Sequence, residues 1–198
     1  GLLWPVVFSP TPEGGAVYDP VVISKLRAEF TVDRDGLMQA NETITTEFLS
    51  GRHGIFRFWD VANVNNSHLR QVPEVIGISM DGQSVPYELM EQDNDRFLVA
   101  KIGDPDKTLT AGTHVFGIRY RIAGVLDPGG TGADKQFASS TGDASAPSAF
   151  FWNVIAPGWN NQIGSAEVSV SLPGPVSGAQ CSVGTDVGRG CDGLSVSG

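Results

Sequence analysis

The chain of 198 residues carries 13 Lys and Arg against 22 Asp and Glu, which gives a formal net charge of −9. This acidic balance, without any basic cluster, argues against binding to nucleic acid or to anionic lipid surfaces. No apolar stretch reaches the roughly 18–20 residues that a membrane-spanning helix requires. The hydrophobic fraction of 40% is that of a folded domain, and 25 glycines with 12 prolines favour strands joined by many turns.

The first predicted element is a strand of strictly alternating character. Residues 1–20, rich in Pro and Gly from position 10, are expected to form a flexible lead-in. Polar and apolar residues then alternate over residues 25–33, which is typical of a strand with one buried and one solvated face. Asp35-Gly36 suits a tight hairpin turn, and a second alternating strand is predicted over residues 37–48.

Further short strands are predicted along the rest of the chain, at 54–61, 75–80, 85–90, 96–102, 113–122, 150–155 and 167–172. Asp81-Gly82 is predicted to form a second hairpin turn, and the alternating Val168 and Val170 are predicted to face inward. The strand at 54–61 is apolar on both faces, which indicates a central or covered position. Residues 127–149 form a Gly-rich long loop, and no window shows sustained helical periodicity. The sequence therefore predicts an all-β fold without a long helix. We expect one antiparallel β-sandwich over residues 21–198, immunoglobulin-like or jelly-roll-like, with roughly eight to ten strands.

One carboxylate interrupts an otherwise apolar row. Glu42 lies in the core-facing row of the strand at 37–48. An ionised carboxylate in that position costs several kcal/mol unless it is paired or its pKa rises. Arg57, between Ile55 and Trp59 on the doubly apolar strand, is the predicted partner. A buried Glu42–Arg57 pair that specifies the fold is favoured over a site acid, because no second acid stands beside Glu42.

The two cysteines, Cys181 and Cys191, lie close together in a Gly- and Ser-rich stretch. A local disulfide is favoured over two free buried thiols and over a zinc site, which needs four closely spaced ligands. A disulfide implies an oxidising, extracytoplasmic compartment.

An aromatic run in the C-terminal half offers a candidate ligand-binding surface. Trp152 with Asn153, and Trp159 with Asn160, could stack on sugar rings and hydrogen-bond to their hydroxyl groups. The favoured alternative is ordinary sandwich core followed by a turn.

Recognisable catalytic motifs are absent from the sequence. Neither Gly-x-Ser-x-Gly nor His-Glu-x-x-His occurs, and no Cys/His arrangement suits nucleophilic catalysis. Short acidic clusters have oxygen ligands of the class that calcium prefers, but none shows the full loop pattern. The sequence therefore predicts no enzyme activity, no cofactor and no metal.

Several short runs follow one another in a definite order along the chain. They are Asp35-Gly36, Glu42-Thr43-Ile44, His53-Gly54-Ile55-Phe56-Arg57, Asp81-Gly82, Gly112-Thr113-His114, Trp152-Asn153, Gly158-Trp159 and Ala166-Glu167-Val168. Their order resembles the N-terminal domain of bacterial predicted membrane proteins grouped as domain of unknown function 2207, over about residues 22–195. One departure is Ala149-Phe150-Phe151, where such proteins usually have an acidic residue and an aromatic one before the Trp-Asn pair.

The resemblance implies a protein led by a signal peptide, with this domain outside the membrane and transmembrane segments after it. It implies no established catalytic residues. The first functional hypothesis is therefore a non-enzymatic extracytoplasmic domain of a membrane-anchored cell-envelope protein, with an unknown protein or an envelope glycan as partner. The alternative is a carbohydrate-binding or glycan-processing domain, and a hydrolase with Glu42 as acid is a weaker third, because a second carboxylate is missing.

Overall fold

The computed structural model describes residues 19–62, 71–130, 145–184 and 189–198. These residues contain eleven strands: β1 (Val22–Val32), β2 (Met38–Phe48), β3 (Gly54–Asp60), β4 (Glu74–Met80), β5 (Gln83–Ser84), β6 (Tyr87–Gln92), β7 (Phe97–Gly103), β8 (Gly112–Ile122), β9 (Leu126–Pro128), β10 (Ser148–Phe150) and β11 (Ala166–Ser171). The predicted all-β class is confirmed, and the longest strands lie close to the predicted positions. Among the residues placed by the structure, no helix could span a membrane.

The strands form one large sheet, one small sheet and a two-stranded ladder of β9 with β10. The large sheet has the order β11-β1-β2-β8-β4-β5, and the small sheet has the order β3-β7-β6. Within the described strands all pairings are antiparallel except that of β1 with β11, which is parallel. Trp59 of β3 packs edge-on against Tyr120 of β8, with ring centroids 5.3 Å apart. The two sheets therefore face each other as a sandwich, with the main core between them.

The core follows directly from the alternation of the long strands. In β2 every second residue is buried, and the apolar members of that row, Met38, Ala40, Ile44 and Phe48, are at most 6% exposed. The opposite face of the same strand carries mainly polar side chains exposed to solvent. Burial of one face therefore fixes the register of the large sheet.

The small sheet is covered on its second face as well. Phe56, Phe97 and Val99 form a second buried cluster with Ala156, which belongs to the segment that follows β10. The predicted strand at 150–155 is wrong beyond Phe150, because the chain leaves the strand conformation there and lies over the small sheet. The prediction of a covered strand at 54–61 is correct, although β3 occupies an edge of its sheet.

The edge strand β11 is more exposed than its alternation suggested. Val168 and Val170 pair with the buried Ala28 and Phe30 of β1, so they point toward the core side of the sheet. They are nevertheless 45% and 42% exposed. The prediction that this row is buried is therefore wrong, because this edge of the large sheet extends beyond the layer that packs on its core side.

Two segments predicted to be irregular are partly ordered. Residues 1–18 of the lead-in lie outside the described residues, but Asp19 accepts a hydrogen bond from Arg52 at 2.6 Å and both side chains are nearly buried. The long loop at 127–149 begins and ends in the short ladder of β9 with β10, and its residues 131–144 are not described.

The C-terminal segment after β11 carries the disulfide. Cys181 and Cys191 are bonded, with their Cα atoms 5.4 Å apart, and an isolated bridge joins Ser182 to Gly190 beside them. Most residues of this segment are exposed, so its few packed side chains provide little hydrophobic stabilisation. The bond therefore holds a surface loop rather than the core.

Candidate functional site

A charged cluster lies between the two sheets, centred on the carboxylate of Glu42. Arg57 donates from Nε to Oε2 at 2.8 Å and from Nη2 to Oε1 at 2.7 Å. The hydroxyl of Tyr120 donates to Oε1 at 2.6 Å. None of the three residues is more than 1% exposed. The two groups singled out in the sequence are thus joined in a bidentate, fully enclosed ion pair.

The guanidinium of Arg57 also holds the segment that follows β10. Its Nη2 donates to the carbonyl oxygen of Val154 at 3.0 Å, and its Nη1 donates to that of Phe58. The rings of Trp59 and Trp159 flank it, with centroids 4.9 and 4.5 Å from Cζ. Arg57 therefore ties together both sheets and the covering segment.

The pKa shifts of Arg57 and Tyr120 keep both groups protonated, so that both can donate to the carboxylate. Burial alone would lower the pKa of Arg57, but the charge and hydrogen bonds of Glu42 raise it instead. Burial, followed by the nearby charge of Glu42, raises the pKa of Tyr120 well above its ordinary value. Tyr120 therefore remains a hydroxyl that can donate to the carboxylate. Because Glu42 is 0% exposed, no external substrate reaches it, which removes the basis for a hydrolase acid at this position.

The four aromatic and amide candidates do not share one environment. Trp159 is 4% exposed and its ring face covers Arg57, so it cannot serve as an open stacking surface for a sugar. Trp152 is half-buried and packs against the main core, while Asn153 and Asn160 are exposed. The hypothesis that both Trp rings form a sugar platform is therefore corrected: one ring belongs to the core.

A groove on the outer face of the large sheet was not found by sequence reasoning. It has a volume of about 420 Å³ and lies between β4 and β8, lined by Asn41, Ile76, Gly77, Ile78, Ser79, Ser84, Gly117 and Arg119. Two glycines keep it open, since a Cβ on Gly117 would lie 2.7 Å from Ser79 Oγ and one on Gly77 would lie 3.4 Å from Arg119 Nη2. The available signal was Gly117, an interruption among the outward-facing residues of a long strand.

The cations on the outer face of the large sheet differ in their pairing. On the same face Lys25 lies 3.5 Å from Glu167, Arg27 lies 3.2 Å from Glu29, and Arg121 is bidentate to Glu74 at 2.7 and 2.8 Å. Arg119, by contrast, has neither an ion pair nor a hydrogen bond to another side chain in the described parts of the chain. Its guanidinium is therefore available to a ligand that enters the groove.

A separate polar contact lies at the end of the large sheet. His114 Nδ1 is 2.7 Å from Asp81 Oδ2, and Nε2 is 2.8 Å from the carbonyl oxygen of Thr110. Because both ring nitrogens face acceptors, the doubly protonated ring is the form that satisfies both contacts. Burial lowers the pKa of His114, but these hydrogen bonds and the charges of Asp81 and Glu47 outweigh it and raise the pKa.

This contact makes stability depend on pH. A raised His114 pKa contributes stability that is complete below its ordinary value of 6.5 and is lost as the pH rises through the folded-state pKa. Burial opposes ionisation of Asp81, yet hydrogen bonds from Val115 and His114 lower its pKa, so its contribution is present above 3.8 and is lost in acid. We expect the stability difference between the wild type and His114→Gln, measured by urea unfolding, to be larger at about pH 5.5 than at about pH 8.5. A difference that does not change with pH would contradict this assignment.

Comparison with known proteins identifies the domain. The family described as "Predicted membrane protein (DUF2207) N-terminal domain" matches residues 22–190. The chain belongs to this family. The matched range of the DUF2207 domain contains all eleven strands, the Glu42–Arg57 pair and the groove beside Arg119. The sequence has no significant match among curated proteins.

Solved structures show only partial similarity to this DUF2207 domain. An M1 zinc metallopeptidase from Deinococcus radiodurans is 19% identical and aligns over 55% of this chain and 22% of that protein, with a TM-score of 0.36. Native leukotriene A4 hydrolase from Saccharomyces cerevisiae is 11% identical over 57% of this chain and 17% of that protein, with a TM-score of 0.39. A structure of native yeast LTA4 hydrolase, also 11% identical, aligns over 85% and 26%, with a TM-score of 0.48. The chain thus spans about a quarter or less of the length of these proteins.

Proposed function

We propose that this chain is an extracytoplasmic domain of a membrane-anchored bacterial cell-envelope protein, in which it acts as an interaction or structural module. The observation that carries the proposal is the Cys181–Cys191 disulfide in an exposed segment. Disulfides form and persist in oxidising compartments and are rare in the cytosol of most bacteria. The family description, an N-terminal domain of predicted membrane proteins, agrees with a domain that is held at a membrane by other parts of its protein.

The chemistry of the described residues supports a binding or structural role rather than catalysis. The most strongly coupled charged groups, Glu42 and Arg57, are sealed between the sheets and hold the fold together. Within the described ranges no three His, Cys, Asp or Glu side chains are grouped so that they could hold a metal ion. The outer face of β2 in the large sheet carries accessible polar side chains, which a partner could bind.

Cysteine accessibility in intact cells tests this proposal. We expect Cys181 and Cys191 in the full-length parent protein to resist a membrane-impermeant maleimide until a membrane-impermeant reductant is added, because they are bonded on the outer side. The control Cys181→Ser frees Cys191, which should react in intact cells without reduction. Peptide mass mapping identifies the labelled residue. Labelling of that free thiol only after lysis would overturn the extracytoplasmic assignment.

A further inference from the structure

We propose that the groove between β4 and β8 binds a sugar-sized ligand that carries a carboxylate, and that Arg119 holds this carboxylate. The proposal rests on the proposed function, since it names the ligand class that an envelope-facing module would recognise. It concerns a face of the molecule that is separate from the buried Glu42–Arg57 pair.

The charge pattern on this face favours a negatively charged ligand in the groove. Three other cations on the outer face of the large sheet, Lys25, Arg27 and Arg121, are each paired with a carboxylate of the chain, whereas Arg119 has no such partner among the described residues. A guanidinium presents a planar fork of donors that matches a carboxylate in a bidentate arrangement. The chain as a whole carries a net charge of −9, so the guanidinium of Arg119 gives this groove a local attraction for an anion that the acidic chain as a whole opposes.

The remaining lining suits the other groups of a sugar. The amide of Asn41 and the hydroxyls of Ser79 and Ser84 can each donate and accept, as recognition of ring hydroxyl groups requires. Ile76 is 53% exposed and supplies an apolar contact for the ring carbons. The volume of about 420 Å³ falls within the range of small-molecule sites, about 300–1,000 Å³.

The backbone around the groove does not favour an extended peptide. β4 and β8 pair with each other, so their facing backbone groups are already used. The register of this pairing shifts between Val75 and Gly77, which places an irregularity at Ile76 in β4. Such irregularities disfavour addition of a further strand. Recognition therefore depends on side chains, and these are the polar groups named above.

Nuclear magnetic resonance titration of the 15N-labelled chain tests the proposal, with sodium D-glucuronate as the probe. We expect saturable shifts of the amide signals of Gly77, Ser79, Gly117 and Arg119, and much smaller shifts with D-glucose, which has the ring without the charge. Arg119→Gln should weaken glucuronate binding by about tenfold or more, as expected when a charge-assisted hydrogen bond is lost. The matched control Arg121→Gln removes a cation of the same face and should leave the affinity unchanged.

Four outcomes would overturn the proposal. Equal shifts with sodium acetate would indicate a carboxylate site without sugar recognition, and tighter binding of glucose 6-phosphate than of glucuronate would indicate a phosphate site. Shifts with a short peptide that has a free C-terminal carboxylate, but not with glucuronate, would indicate a peptide site. Equal weakening of glucuronate binding by Arg119→Gln and Arg121→Gln would show that general electrostatics, not Arg119, holds the ligand. These results leave the cysteine labelling untouched, so failure of the groove and failure of the extracytoplasmic assignment are distinguishable.

Discussion

Replacing Arg57 with Met is expected to lower the free energy of unfolding by about 3–5 kcal/mol, because it leaves a buried carboxylate without its counter-charge. Of its hydrogen bonds with described residues, Glu42 would retain the one from Tyr120. The contacts of Arg57 with Val154 and with the ring of Trp159 would also be lost, so the covering segment would loosen. Urea unfolding monitored by Trp fluorescence measures the loss of stability and the change around Trp159.

Two further variants separate the charge from the packing. The double variant Glu42→Gln, Arg57→Met removes both charges and keeps an acceptor for Tyr120, so it should recover at least half of the lost stability. Lys25→Met breaks an exposed pair with Glu167 and should cost less than about 1 kcal/mol. An Arg57→Met loss no larger than that of Lys25→Met would contradict the assigned role of the buried pair.

Gly103→Ala is expected to destabilise the protein by roughly 3 kcal/mol or more, since backbone strain and steric overlap each contribute about 1–3 kcal/mol. Gly103 has φ of +135°, and a Cβ there would lie 2.1 Å from the carbonyl oxygen of His53. Its ladder partner Gly54 is equally confined, with Ile102 O at 1.7 Å from its Cβ position. Because both obstacles are backbone atoms, rotation of a side chain cannot relieve them. Equilibrium urea unfolding gives the loss.

The matched controls are other glycines of the chain. Gly112 has φ of +115° but open space around its Cβ position, so Gly112→Ala reports backbone strain alone. Gly174 has open space and no positive φ in the left-handed region, and Gly174→Ala should be close to neutral. If Gly103→Ala costs no more than Gly112→Ala, the close approach of β3 and β7 does not contribute to stability.

Local patterns predicted the parts of this domain that depend on neighbouring residues. Alternation located β1, β2 and β8, and the Asp81-Gly82 pair predicted a turn that indeed has positive φ at both residues. The interruption of a core row by Glu42 was informative because a buried carboxylate requires a partner, and Arg57 was a long side chain placed on an apolar strand. These inferences use chemistry that a single strand displays.

The remaining predictions depended on contacts between residues far apart in the sequence, which local patterns do not display. Val168 and Val170 alternate like buried residues, and only the extent of the opposing sheet decides that they are exposed. The groove requires Gly77 of β4 and Gly117 of β8 to lie on adjacent strands, which the sequence does not display. Trp159 is of a residue type that often stacks on sugars, but its ring covers Arg57 of β3, a contact that the sequence around Trp159 does not display.

The parallel pairing of β1 with β11 has a consequence for the folding of the domain. One edge of β1 pairs with β2 through a short hairpin. Its other edge pairs with β11, in a ladder that begins with Leu26 opposite Ala166. Contacts of such high sequence separation slow folding, and an open strand edge can recruit another chain. During synthesis from the N-terminus, β1 is made early and this edge stays unpaired until β11 is made. Interrupted synthesis would therefore leave an aggregation-prone intermediate with an open strand edge.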